Sequence, residues 1–288
     1  MFSLFGFEEA VANTYRVAYP FIGERPVGTT SELRACYLDF LTDHQPYMPV
    51  NRTHDMFVTE VEAESRLVAA YSHNAALNDL GQSTVIGDSY DEPSKLRKVA
   101  LARDALHEFR ELDDELAAIF DLTIHSIVIR PSNSADGRKS YGGSSSAAMG
   151  VIWLSLGPTV TRGDVVEMLL HELTHHLLFI DERNHPHFDY DLLTRPENRA
   201  FSAILNLHRP LDKVVHSIVV ATELILGRRR FLPETELTVH PPAEKMLRDV
   251  RSAYESIVTL PAADAVLRPR ARAIIDGCVA ACEPIEAH

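Results

Sequence analysis

The chain has few cysteines: Cys36, Cys278 and Cys282 are the whole set. An odd number without paired spacing excludes a disulfide framework and reads as free thiols of a reducing compartment. Cys278 and Cys282 stand four apart, not as the C-x-x-C of a redox or zinc site, and share one face of a predicted C-terminal helix. Positive charge is also scarce. Lys and Arg number 28 against 41 Asp and Glu, a formal net charge of −13. A general nucleic-acid binder needs a basic footprint, so that class is set aside. No apolar run is long enough to span a bilayer. Met1 to Ala10 carries no Lys or Arg, and its short apolar stretch is broken by Gly6, so it does not read as a signal peptide. The expectation is a cytoplasmic protein with no membrane partner.

What is present is enough apolar material for a core: 45% hydrophobic against 24% charged residues over 288 positions. No repeat and no long linker forces a boundary, so residues 1–288 are expected to form one domain. Within it we distinguish a helical half (1–120), a central core (121–230) and C-terminal helices (231–288).

The most informative stretch is Leu170-His171-Glu172-Leu173-Thr174-His175-His176. His171 and His175, four apart, stack on one helix face where both can reach one metal ion. Glu172 lies about 100° round from His171 and borders that face. This is the H-E-x-x-H pattern, in which two His ligate and a Glu acts on metal-bound water. Thr161 and Asp164 are plausible caps, and no Pro or Gly falls between Asp164 and Asp181. Apolar residues ring the helix, which predicts burial. Buried imidazoles and a buried carboxylate need partners, and a metal supplies them.

Along the rest of the chain, helices are expected over Glu8–Tyr19, from a Thr29/Glu32 capping box to Leu41, over Phe57–Leu80, and as one long element over Ser94–Phe120. His44, His54, His73 and His107 are isolated and read as surface or capping residues. Leu122–Arg130 and Val151–Leu156 read as strands, separated by a Gly- and Ser-containing loop from Pro131 to Ser146. Strand, loop, strand and buried H-E-x-x-H helix is the order of a zincin-like core, where an edge strand can hold an extended peptide. Asp181 to Pro196 reads as loop. Arg209-Pro210-Leu211 opens a helix to Gly227, and Arg228 to Arg230 close it as a solvated end. Two more helices follow, Glu244–Leu260 and Pro269–Cys282. The fold class expected is α+β, predominantly helical, with a small sheet.

A metal site of this type needs a third protein ligand and an open position. Asp181 occupies the place of the last His in H-E-x-x-H-x-x-G-x-x-H. Leu178 replaces the helix-breaking Gly, so Asp181 would sit roughly 15 Å along the axis from His171. Glu182, Glu197, His185 and His187 are weaker loop candidates. His216, in the apolar helical run Val214 to Val220, is the strongest, with Glu223 as an alternative ligand or as its orienting partner. Imidazole suits zinc and iron alike.

These residues carry a resemblance. His171-Glu172-Leu173-Thr174-His175, followed by Arg209-Pro210-Leu211-Asp212-Lys213-Val214-Val215-His216, resembles the HExxH-motif peptide-modification family, similar to α-ketoglutarate-dependent peptide β-hydroxylases of ribosomal natural-product pathways. The likeness covers about Gly150 to Arg230. It implies Fe(II) held by His171, His175 and His216, with α-ketoglutarate and O2 in the open positions. Family members often carry Trp-Arg before the Arg-Pro-Leu, where this chain has Ser202 to His208, so the likeness does not extend to substrate. An oxygenase needs a cation for the distal carboxylate of its cosubstrate. Arg209, seven residues before His216 and on a similar helix face, is the candidate. Glu172 then becomes a positioning group. The substrate expected is a peptide or a carrier-bound or free amino acid. The rival readings are a zinc metallopeptidase with Glu172 as general base, and a non-catalytic protein with a structural metal.

Overall fold

The computed structural model describes residues 2–71, 86–133, 140–205, 207–232 and 236–286. In order it has helices α1 (Phe2–Ala18), α2 (Thr30–His44), α3 (Val61–Tyr71), α4 (Glu92–Leu112) and α5 (Asp114–Thr123). Strands β1 (Ser126–Ile129), β2 (Gly142–Gly143) and β3 (Val151–Leu154) follow, then α6 (Arg162–Asn184) and the one-turn α7 (Tyr190–Leu193). The chain closes with β4 (Arg199–Phe201), β5 (His208–Pro210), α8 (Leu211–Phe231), α9 (Ala243–Val258), α10 (Ala263–Val266) and α11 (Pro269–Glu286). The protein is predominantly helical with a small sheet, an α+β arrangement. No described helix is long and apolar enough to cross a membrane.

Helix α6 is the centre. Thr161 Oγ1 accepts from the Asp164 amide, and Asp164 Oδ2 accepts from the Thr161 amide, a closed capping box at its start. Its apolar residues are buried on nearly every side against α1, α4 and α8. One apolar cluster runs from Phe2 to Cys282 and takes in most of these elements. β1 pairs in parallel with β3, Ser126 opposite Val151, and β2 pairs antiparallel with β3 on its other side, Gly142 opposite Leu154. Among the described residues β2 is therefore an edge strand, and β4 and β5 form a separate antiparallel pair.

Several boundaries differ from expectation for local physical reasons. The single helix over Ser94–Phe120 is two helices, because Asp113 leaves helical geometry and caps α5 through the Glu115 and Leu116 amides. α5 continues through Leu122 and Thr123, so the first strand begins only at Ser126. α1 begins at Phe2, before Glu8, and carries one non-helical residue, Gly6. The helix expected over Phe57–Leu80 is seen as Val61–Tyr71; its later part, with His73, lies outside the described residues. α6 continues to Asn184, beyond the expected start of the loop at Asp181. α8 does not stop at Gly227: its backbone continues to Phe231, and Gly227 is where α8 passes close to α6. A Cβ there would stand 2.4 Å from Leu170 Cδ2. The Thr29/Glu32 box is present, with α2 extending to His44. His54 and His107 are exposed and His44 is half-buried beside Phe40. Cys278 and Cys282 are buried free thiols on α11.

One glycine is conformationally required near the centre. Gly150 has φ +84°, and a Cβ on it would lie 2.4 Å from His125 Cδ2 and 2.9 Å from His125 Nε2. His125 is fully buried and cannot give way. Gly150→Ala combines a left-handed backbone penalty with overpacking, so it should destabilise by about 3 kcal/mol. Urea unfolding should show this as a lower midpoint with an unchanged slope.

Candidate metal centre

α6 turns one polar stripe, within an otherwise apolar surface, toward a cavity of about 400 Å³. His171, Glu172, His175 and Phe179 form one side of it, and Gly142, Gly143 and Ser144 of the edge strand and its exit form another. α8 contributes Lys213 and His216, β5 contributes Arg209, and the segment Val239 to Pro241 closes a further side. His171, Glu172 and His175 offer donor atoms that lie within 4.8 Å of one another. His171 Nδ1 is 3.0 Å from His240 Nε2, and His175 Nδ1 is 2.9 Å from His216 Nδ1. With His171 and His175 ring centres 5.0 Å apart, four imidazoles form a row in the order His240, His171, His175, His216.

Burial pushes the His171, His175 and His216 imidazoles well below their usual value, and neighbouring rings or cations add to the effect. They are neutral near pH 7, the form whose free ring nitrogen can bind a metal. Burial pushes the Glu172 carboxyl up to about 8, against the opposing hydrogen bond from Ser144. Ser144 Oγ donates to Glu172 Oε2 at 2.6 Å and lies 3.2 Å from His176 Nε2. His176 points away from the cavity, its Nδ1 accepting from the Gly150 amide at 3.1 Å. Gly142 must be a glycine here. A Cβ on it would stand 2.8 Å from the Trp153 carbonyl and 3.1 Å from Glu172 Oε1, so the bare backbone is what admits the carboxylate beside the strand.

The structure thus brings His171, Glu172, His175, His216 and Arg209 to one cavity. His216 touches His175 and is outside the group of three donors that converge. Arg209 is in strand β5, not on the helix that carries His216, so the face-sharing expected from their spacing does not arise; the strand nonetheless delivers it to the same wall. The other third-ligand candidates have different work. Asp181 is buried against Asn13, His187 and Arg270. Glu182 accepts from the Tyr190 hydroxyl, His185 ends α6, and Glu197 is exposed. Glu223 accepts from the Ser3 and Leu4 amides at 2.9 and 3.0 Å and satisfies the start of α1.

His240 is the participant that sequence reasoning missed. It is 69 residues from His171, and its only local signal is the Pro241-Pro242 pair that stiffens the backbone after it. Glu167, four residues before His171 on the same face, was a more accessible signal. Its carboxylate accepts from His240 Nδ1 at 2.7 Å and from Arg228 Nη2 at 3.0 Å. Burial alone would push Glu167 up; the bonds from His240 and Arg228 outweigh it and hold the carboxyl below its usual value. Arg228 is therefore a largely buried ion-pair partner, not part of a solvated helix end, because α8 crosses α6 at that point.

Two half-buried imidazoles and a buried carboxylate within reach of one point fit a divalent transition metal. No protein-family model matches the chain, and no curated protein matches it.

Asp181 supplies a test of its structural role. Burial would raise its carboxyl, but His187 and Arg270 hold it at about 2, below the ordinary 3.8. A carboxyl depressed in the folded state adds stability that is complete above pH ~4 and lost as pH falls toward 2. Asp181→Asn should remove roughly 2 kcal/mol at pH 7 and flatten the stability profile between pH 4 and 2. Thermal melts across that range, with metal content unchanged, check it.

Proposed function

We propose that the protein is an Fe(II)- and α-ketoglutarate-dependent hydroxylase of a peptide, or of a carrier-bound or free amino acid, in natural-product biosynthesis. The observation that carries this reading is the composition of one cavity: two imidazoles and a carboxylate converge beside two cations, Arg209 and Lys213. Two His and one carboxylate with open positions is the donor set suited to non-haem Fe(II). A dicarboxylate cosubstrate needs, in addition, a cation beyond the metal. Bound there, iron with α-ketoglutarate and O2 would supply hydroxylation of a C–H bond, the cosubstrate leaving as succinate and CO2.

In this reading His171, His175 and Glu172 hold the ion, Glu172 taking the place expected for His216. Ser144 orients Glu172 by donating to its Oε2, and His216 steadies the His175 ring through the Nδ1 contact. Arg209 takes the distal carboxylate. Lys213, already 3.3 Å from Asp212, adds positive potential on the same side. The core is read as zincin-like: an antiparallel edge strand, Gly142–Gly143, runs beside the H-E-x-x-H helix, and its outer side, unpaired among the described residues, can pair with an extended peptide.

A zinc metallopeptidase is the second reading. What favours it is that Glu172 lies against that edge strand, where the carbonyl of a paired peptide would be within reach of a general base. His216 would then be the third imidazole on the metal.

Anaerobic Fe(II) titrated with α-ketoglutarate separates the two. The hydroxylase reading predicts a saturable visible charge-transfer band, with half-saturation in Arg209→Ala raised at least tenfold. His216→Ala should weaken the band; its complete loss would place that imidazole on the metal. Stoichiometric zinc retained through purification, no band, and peptide cleavage that vanishes in Glu172→Gln would establish the peptidase.

A further inference from the structure

Beyond the converging donors, α6 presents a second set of polar groups that the proposed reaction does not use. Glu167 is 1% exposed at its side chain, His240 8% and Arg228 13%. The three are bonded in series. Arg228 donates to Glu167 from Nε and Nη2, and also from Nη1 to the Pro241 carbonyl at 2.7 Å. His240 meets Glu167 Oε1 through Nδ1 and His171 Nδ1 through Nε2. The backbone before His240 is tied down as well. Asp164, the partner of Thr161 in the α6 capping box, accepts from the Thr238 and Val239 amides at 2.6 and 3.1 Å.

We propose that His240, anchored by the Glu167–Arg228 ion pair, is a positioning residue that fixes the tautomer of His171 and so turns its Nε2 lone pair toward a metal ion.

The proton order follows from donor and acceptor chemistry. A carboxylate paired with a guanidinium can only accept, so the proton between Glu167 and His240 belongs to His240 Nδ1. A neutral His240 then has an unprotonated Nε2, which must accept. The proton between the two rings therefore belongs to His171 Nδ1. That leaves His171 Nε2 bare on the side where Glu172 Oε1 lies 4.0 Å away. One carboxylate thus sets two imidazoles in sequence. Partners of this kind, behind a ligand, tune metal affinity substantially.

This role rests on reading His171 as a metal ligand, and the test separates the two claims. 15N spectra of the metal-free protein, with the His171 signal assigned by its loss in His171→Ala, report the tautomer with no metal present. Co(II) titration against a chromophoric chelator reports affinity. In the wild type His171 should be the Nδ1–H tautomer. His240→Leu, which offers no acceptor, should shift it toward Nε2–H and weaken Co(II) binding about 10- to 100-fold. His240→Gln, whose amide can accept from His171 and donate to Glu167, should restore binding to within a few-fold. If His240→Leu does not fold, as judged by circular dichroism, Glu167→Gln supplies the same comparison and should also disturb the tautomer. Unchanged tautomer and affinity in His240→Leu would overturn the proposal, as would His240→Gln binding as weakly as His240→Leu. A wild type with the expected tautomer but no affinity for Co(II), Zn(II) or Fe(II) would instead overturn the metal reading, and the role of His240 with it.

Discussion

Everything around the cavity depends on one constraint: a largely buried helix carries ionisable groups that need partners. α6 places Asp164, Glu167, His171 and His175 at three- and four-residue spacing, one above the next, among residues with almost no access to solvent. An unpaired buried polar group costs roughly 1–3 kcal/mol, and an unpaired charge more. The rest of the chain answers each in turn. Thr161 and the 238–239 amides satisfy Asp164, and Arg228 and His240 satisfy Glu167. His240 and His216 meet the two H-E-x-x-H rings.

The fold can be read as the means of delivering those partners. α8 lies against α6 closely enough to need Gly227, and that approach brings His216 and Arg228 to two different levels of the stripe. Asp164, in the first turn of α6, holds the segment that carries His240. On the opposite side of the cavity the sheet ends in a two-residue strand of glycines, and the absence of side chains there lets Glu172 lie against backbone. Arg209 and Lys213 line the same cavity as the neutral imidazoles.

Legibility in the sequence tracked how local the physics was. The Thr161–Asp164 box, the Thr29–Glu32 box and the H-E-x-x-H face all rest on interactions between residues three or four apart, and each is present. The break at Asp113 was legible in principle, since an Asp ahead of Asp114-Glu115 is a cap, but the continuing apolar periodicity masked it. Gly227 and Arg228 to Arg230 read as a helix end because Gly and basic residues usually mark one. Here Gly227 is needed for a close helix crossing, and the helix runs on.

The sequence by itself determined a buried helix with two stacked imidazoles, a neighbouring carboxylate and a capped start, because helical geometry converts spacing directly into a shared face. Tertiary structure decided which distant groups complete it. Asp181, His187 and Glu223 look from the sequence as suitable as His240, yet packing bonds Asp181 to His187, Arg270 and Asn13 and sends Glu223 to the start of α1. The identity of a partner 40 to 75 residues away depends on how helices cross and where a loop is tied, and no local pattern carries that information.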